Sequence, residues 1–254
     1  MRVVYEMKAI AINSSPRLKG NTAALLKSAL NGAKAVGFST ELYQLSDYEY
    51  RGCRGCSACK IIKAKSYGKC VRKDGISELL ETVTTADVLL LGTPMYFGQI
   101  NGAMQKFLER MFYPYSIWEP YDASIWPKET RVGFFYTMNM SEAEFQKLDK
   151  IWTISPILAG FRRVCGDVEV QISYETMQFF EGYENYYAPK LNNQQRRRRF
   201  REEFPQELDN AYDLGKKLAF EAVNSEPDQR RRAYREEHWR WITEARAQFE
   251  VSKK

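Results

Sequence analysis

Short unbroken apolar runs alternate along this chain with longer stretches whose apolar positions recur at helical spacing. "KAIAIN" (8–13) is short and apolar, and predicts a strand buried on both faces of a parallel sheet. Residues 21–36 place Leu25, Leu26, Ala29, Leu30 and Ala33 on one helical face, and "GFST" stops that helix. "TELYQLS" (40–46) predicts a second strand. A short helix over 75–86 leads into "DVLLLGTPMYF" (87–97), the strongest strand pattern in the chain. "NGAMQKFLERMF" (101–112) puts Met104, Phe107, Leu108, Met111 and Phe112 on one helical face. A strand over 131–139 follows, then a helix over 141–152 opened by the capping box Ser141 and Glu144. A last strand spans 167–174 and a closing helix 206–223, after a long connection over 175–205. Strand and helix alternating to five strands predicts an open, doubly wound α/β sheet with helices on both faces. Residues 1–224 read as one domain and 225–254 as a C-terminal helical extension. In that tail Tyr234, His238, Trp241, Ile242, Ala245 and Phe249 form a stripe that must cover something apolar, in this subunit or a second one. His238, the single histidine, reads on that stripe as a packed residue rather than a catalyst.

Composition narrows the class. The chain has 254 residues, 44% hydrophobic and 28% charged, which suits an ordinary globular protein. No apolar run is long enough for a membrane span, and Glu6 and Lys8 interrupt the apolar N-terminus, which leads to the expectation of a cytoplasmic protein. The net charge is +6, with the densest basic stretch at "RRRRFREEF". Arg198 with Glu202 and Arg199 with Glu203 are spaced to pair along a helix, which favours a solvated face over a nucleic-acid surface.

Two loops hold candidate chemistry. "NSSPRLKGNT" (13–22) ends the first strand and opens a helix, whose N-terminal N–H groups and dipole attract an anion. Ser14, Ser15, Asn21 and Thr22 add short polar groups, Arg17 adds charge, and Gly20 allows close approach. A Walker loop is excluded by Gly20-Asn21-Thr22, and a dinucleotide fingerprint by the lone glycine, so a mononucleotide phosphate suits the cradle. "GTPMYFGQING" (92–102) ends the central strand. In a 2-1-3-4-5 sheet the first and third strands flank the switch point, so both loops fall on one rim. Thr93 and the backbone from Pro94 to Gly98 suit a flat polar heterocycle, with Tyr96 or Phe97 packed against it.

Five cysteines, four of them between 53 and 70, argue for a metal site or a redox role rather than a disulfide framework. Cys53, Cys56 and Cys59 are spaced C-x2-C-x2-C, and ten residues separate Cys59 from Cys70. A [4Fe–4S] cluster, a zinc ion and metal-free thiols are all compatible with that spacing. Arg51, Arg54, Lys60 and Lys63 would favour thiolates, whereas Cys165 reads as core packing.

Taken in order, "NSSPRLKGNT", "CRGCSAC", "GKCVRKDG" and "GTPMYFGQINGAMQKFLER" resemble the flavodoxin-like family of NAD(P)H-dependent FMN reductases and iron–sulfur flavoproteins, clearly over about residues 8–140. The resemblance implies a flavodoxin-like fold and FMN as cofactor. Its phosphate would sit on Ser14, Ser15, Arg17, Asn21 and Thr22. Its ring would meet Pro94, Met95, Tyr96, Phe97 and Gly98, with Thr137 to Asn139 on the far side. It also implies Cys53, Cys56, Cys59 and Cys70 as cluster ligands, although "KIIKAKSYGK" is longer than the family's last gap. The implied activity moves electrons from NAD(P)H or another donor to a small acceptor (a quinone, a flavin or a nitroaromatic) or through a cluster, with no side chain as acid or base. A homo-oligomer, dimer or tetramer, is implied as well. Two rivals remain: a flavodoxin-like carrier between protein partners, and a zinc-stabilised nucleic-acid binder.

Overall fold

The computed structural model describes residues 6–119, 123–148, 153–187, 193–224, 226 and 228–251. Strands β1 (Lys8–Asn13), β2 (Ser39–Gln44), β3 (Val88–Tyr96), β5 (Arg131–Thr137) and β6 (Val168–Ser173) form a parallel sheet in the order β2-β1-β3-β5-β6. A two-residue strand, β4 (Gln99–Ile100), folds back antiparallel on the end of β3, pairing Met95 with Ile100 and Tyr96 with Gln99. It adds a hairpin to the five expected strands and leaves their order unchanged.

Successive side chains of a strand point to opposite faces, and each face has its own core. Ile10, Ile12, Leu89, Leu91, Phe134 and Tyr136 pack one side, under α2 (Ser77–Thr82), α3 (Gly102–Phe112) and α5 (Ser155–Val164). Ala9, Ala11, Val88, Leu90 and Phe135 pack the other, under α1 (Asn21–Ala35) and α7 (Phe204–Asn224). α1 and α7 touch backbone to backbone: a Cβ on Gly215 would lie 1.9 Å from Ala29 O, and one on Gly32 would lie 2.0 Å from Tyr212 O. Only glycine fits either position.

α4 (Glu142–Lys147) forms with the expected Ser141–Glu144 capping box, but it turns extended at Leu148, and residues 149–152 of the expected helix lie outside the described residues. α5 is a helix the sequence pattern did not predict. Pro156 sits in its first turn, where its missing N–H costs nothing, and Gly160 in its middle admits the Phe112 ring, 2.8 Å from where a Cβ would be. α6 (Asn193–Glu202) shows the expected Arg198–Glu202 and Arg199–Glu203 pairs. It departs from a purely solvated face at Arg196, which is buried and bonded to Glu175 and to Asn139 O. α8 (Gln229–Val251) places Ile242 fully inside, while Trp241 on the same stripe stays half exposed.

Candidate functional site: a polar cradle and a four-cysteine cavity

β1 and β3 are neighbours, so the loops leaving their ends share one rim. The first loop is fixed by its surroundings. Asn13 Nδ2 donates to Gln44 Oε1 (2.7 Å), and Asn13 Oδ1 accepts from the Ser15 amide (3.0 Å). Ser14 donates from its amide and its hydroxyl to Gly92 O, at 2.9 and 3.1 Å. Gln44 Nε2 donates to Ser15 O. Ser14, Ser15 and Thr22 are buried, whereas Arg17 is exposed. Beyond them, α1 starts at Gly20 without a side-chain cap and without an acidic residue in its first turn. An uncapped helix start keeps its N–H groups and positive dipole end available to an anion.

The second loop is a tight hairpin turn. Phe97 (φ 50°) and Gly98 (φ 78°) both take left-handed conformations between β3 and β4, the pattern of a two-residue type I′ turn. Glycine adopts this freely, but phenylalanine does so at a cost. The result is a fully exposed Phe97 beside a half-exposed Tyr96, with Pro94 and Met95 half-buried behind them. Thr93 is fully buried and accepts from the Asn101 amide (3.3 Å). Asn101 caps α3 through Met104 N (3.0 Å) and donates to Ser14 O (2.7 Å), so one side chain ties the two loops together. The Asn-Gly pair before an apolar helix was its sequence signal.

The third wall is the end of β5. Thr137 Oγ1 and Thr22 Oγ1 are 2.8 Å apart. Asn139 is half-buried, with its Oδ1 enclosed and without a partner among the described residues, and Asn21 Oδ1 is in the same state. These orphaned acceptors, with the uncapped helix start, fit a ligand that brings an anion and hydrogen-bond donors. A segment that no sequence signal marked closes the cradle: Met177 O accepts from Asn21 Nδ2 (2.8 Å) and Gln178 O from Arg17 (2.7 Å).

Cys53, Cys56, Cys59 and Cys70 all line one cavity, floored by Arg110 and Tyr113 of α3 and its end. Cys53 and Cys56 are exposed, Cys70 is half-buried and Cys59 is buried. Among the described residues no three Cys, His, Asp or Glu side chains are gathered tightly enough to hold a metal ion as they stand. The donor set suits one, and Gly55 N already donates to Cys53 Sγ (3.4 Å). Burial raises the Cys59 thiol above its ordinary value, and the Cys70 and Cys53 thiols add to this. Cys56 lies below its ordinary value, first through the Ala58 amide and then through Arg54. Burial draws the Lys60 ammonium down to about 8. Both ends of the cysteine segment are held by Arg110, which pairs with Asp74 (2.7 Å to Oδ1) and donates to Arg51 O and Arg72 O, each at 3.2 Å. Cys165 is buried away from this cavity, as expected.

Residues 7–129 match the family model described as NADPH-dependent FMN reductase. An iron–sulfur flavoprotein of Methanocaldococcus jannaschii is 38% identical over 104 residues, 41% of this chain and 51% of the relative. One from Archaeoglobus fulgidus is 40% identical over 104 residues, 41% of this chain and 48% of the relative. The chain therefore spans about half the length of the curated relatives it matches. Among solved structures, an NAD(P)H:quinone oxidoreductase from Methanothermobacter marburgensis superposes with a TM-score of 0.60 at 14% identity, over 84% of this chain and 96% of that one. At that identity the likeness concerns the fold. Residues 7–129 are thus similar to the NADPH-dependent FMN reductase family, on a flavodoxin-like sheet.

Proposed function

We propose that the chain is an FMN-dependent oxidoreductase that takes electrons from NAD(P)H or another donor and delivers them to a small acceptor such as a quinone, a flavin or a nitroaromatic. One observation carries the reading: an uncapped helix start and an exposed aromatic turn stand on adjacent strand ends, with the unpartnered oxygens of Asn21 and Asn139 beside them. Ser14, Ser15, Arg17, Asn21 and Thr22 hold the phosphate. Thr93 to Gly98 hold one side of the ring, and Thr137 with Asn139 the other. When bound, FMN supplies two-electron and one-electron transfer, which the amino acids themselves lack. The side chains bind, orient and exclude water, and none is assigned as acid or base.

We further infer that Cys53, Cys56, Cys59 and Cys70 hold an iron–sulfur cluster. Their common cavity, the amide already donating to sulfur and the relatives' names support this. Cys53 and Cys56, being exposed, are free to turn inward on loading. α3 starts at the ring loop and ends at this cavity, about 16 Å along its axis. Exposed aromatics such as Phe97 and Tyr187 are consistent with a homo-oligomer.

The test is anaerobic turnover with NADH and NADPH against a quinone, with iron, labile sulfide and zinc assayed on the same sample. Nicotinamide oxidation and iron matched by sulfide support the reading. A protein idle with both nicotinamides but quickly reduced by a low-potential protein donor would instead be an electron carrier, a role that the exposed Cys53 and Cys56 beside Arg51 and Arg54 would suit.

A further inference from the structure

The ten residues between Cys59 and Cys70 have few means of their own to hold a shape. Their bonds are a handful of turns, among them Ala64 N to Ile61 O, Tyr67 N to Ala64 O, Lys69 N to Ser66 O, Gly68 N to Cys59 O and Ser66 Oγ to Ala58 O, and Lys60 ties their start to Pro114 O and Ser116 O. Of their apolar side chains, Ile61 is exposed, Ile62 is partly buried and Tyr67 is buried. Tyr67 is buried by α8. Tyr67 stacks on His238, with ring centroids 5.8 Å apart, and meets Trp239 edge-on at 5.8 Å. Its hydroxyl lies 2.8 Å from His238 Nε2. Ile242, fully enclosed, joins Tyr67 and Ile125 in one small core. Arg246 then caps two carbonyls of the connection, donating to Ile62 O and to Ala64 O at 2.9 Å each. Gly68 passes so near Trp239 and Ile125 that a Cβ there would lie 3.8 and 3.2 Å from them.

We propose that α8 is a latch for the cysteine cavity: through His238, Ile242 and Arg246 it folds the Cys59–Cys70 connection over Cys59 and keeps both sulfurs on the shared cavity. These three are positioning residues, and they lie more than a hundred residues beyond the segment that matches the family. The longer connection and the C-terminal helix thus form one device, each supplying what the other lacks. The connection offers the Ile62 and Ala64 carbonyls, the Ile62 side chain and one aromatic ring. The helix offers a guanidinium and an apolar groove. The latch acts on the thiols whether or not they hold metal, so it stands apart from the reading of the cluster.

The test uses the metal-free 254-residue chain and N-ethylmaleimide, with each cysteine's labelling rate read by peptide mass. Wild type should label Cys53 and Cys56 fast, and Cys59 and Cys165 slowly. Ile242→Ala and Arg246→Ala should each speed Cys59 by about tenfold or more, because local opening is governed by the contacts removed. Cys165 should stay slow and FMN affinity unchanged, showing that the rest of the fold is intact. An unaltered Cys59 rate in both variants would overturn the proposal. So would an equal rise at Cys165, because α8 would then be a general scaffold. In a parallel arm, wild type that takes up no iron on anaerobic reconstitution would count against the cluster alone, leaving the labelling result to decide the latch.

Discussion

Arg110 shows what a single residue decides in this molecule. It is 2% exposed, sits near the end of α3, and satisfies Asp74 and two backbone carbonyls flanking the cysteines. Burial opposes ionisation of Asp74, yet the Arg110 hydrogen bond and charge outweigh it and hold the carboxyl below its usual range. Replacing one partner of such a pair strands the other. Arg110→Gln should therefore cost about 3 kcal/mol, seen as a lower urea midpoint in denaturation. Its neutral neighbours on the helix face gave the apolar stripe that predicted α3, but nothing in a stripe says that an arginine within it points inward. Arg196 is the same case: three arginines follow it, and the run reads as solvated until a specific partner, Glu175, is brought near by the fold. By contrast, the polar junction of Ser14, Ser15 and Thr22 between β1 and α1 was legible as a junction, because short polar groups gather where a strand hands over to a helix; their hold on a phosphate is the proposal above.

At the scale of elements, the strands were legible and the connections less so. Buried parallel strands must be apolar throughout, so β1, β3 and β5 stand out in any reading. α5 did not, although Ile157, Leu158, Phe161 and Val164 recur at helical spacing, because Pro156 and Gly160 are also turn signals; Pro156 opens its first turn and Gly160 packs on Phe112. The β3–β4 hairpin was hidden too: Phe97-Gly98 is not the usual Asn-Gly of a type I′ turn. That misfit has a consequence. Phe97→Gly should relieve the left-handed strain and raise stability by about 1 kcal/mol in chemical denaturation, while weakening FMN binding through the lost ring contact. α8 predicts a pH effect. Burial, then the Lys60 ammonium, holds His238 below its ordinary 6.5, and Tyr67, Tyr234 and Trp239 surround it. A depressed value means that the unfolded chain takes up a proton the folded one resists. Stability is then full above 6.5 and falls as pH drops below it, down to the folded value. Between about pH 7.5 and about pH 5.5, the wild-type melting temperature should fall further than that of His238→Gln, which has nothing to titrate there.

For the whole molecule, the sheet order sets the geometry of everything else. It brings loops eighty residues apart in sequence onto one rim, and it aims α3 from that rim to the cysteine cavity. The rim was readable in advance because strand order in a doubly wound sheet fixes where loops meet. The cover formed by Met177 and Gln178 was not, because it contributes only backbone carbonyls to Arg17 and Asn21, and carbonyls carry no sequence signal. The cysteine cavity was visible as a spacing, but its dependence on a distant C-terminal helix was not, since that contact joins residues about 180 positions apart.

The proposed function requires the α1 start and the aromatic turn to bind one phosphorylated flavin. Its most direct test is titration of the metal-free protein with FMN and, separately, with riboflavin, following quenching of flavin fluorescence. The account predicts saturable binding of FMN at one per chain, and riboflavin weaker by at least about tenfold, because the missing phosphate forfeits the charge-assisted bonds of the cradle. No quenching at saturating FMN, or equal affinity for the two flavins, would contradict it.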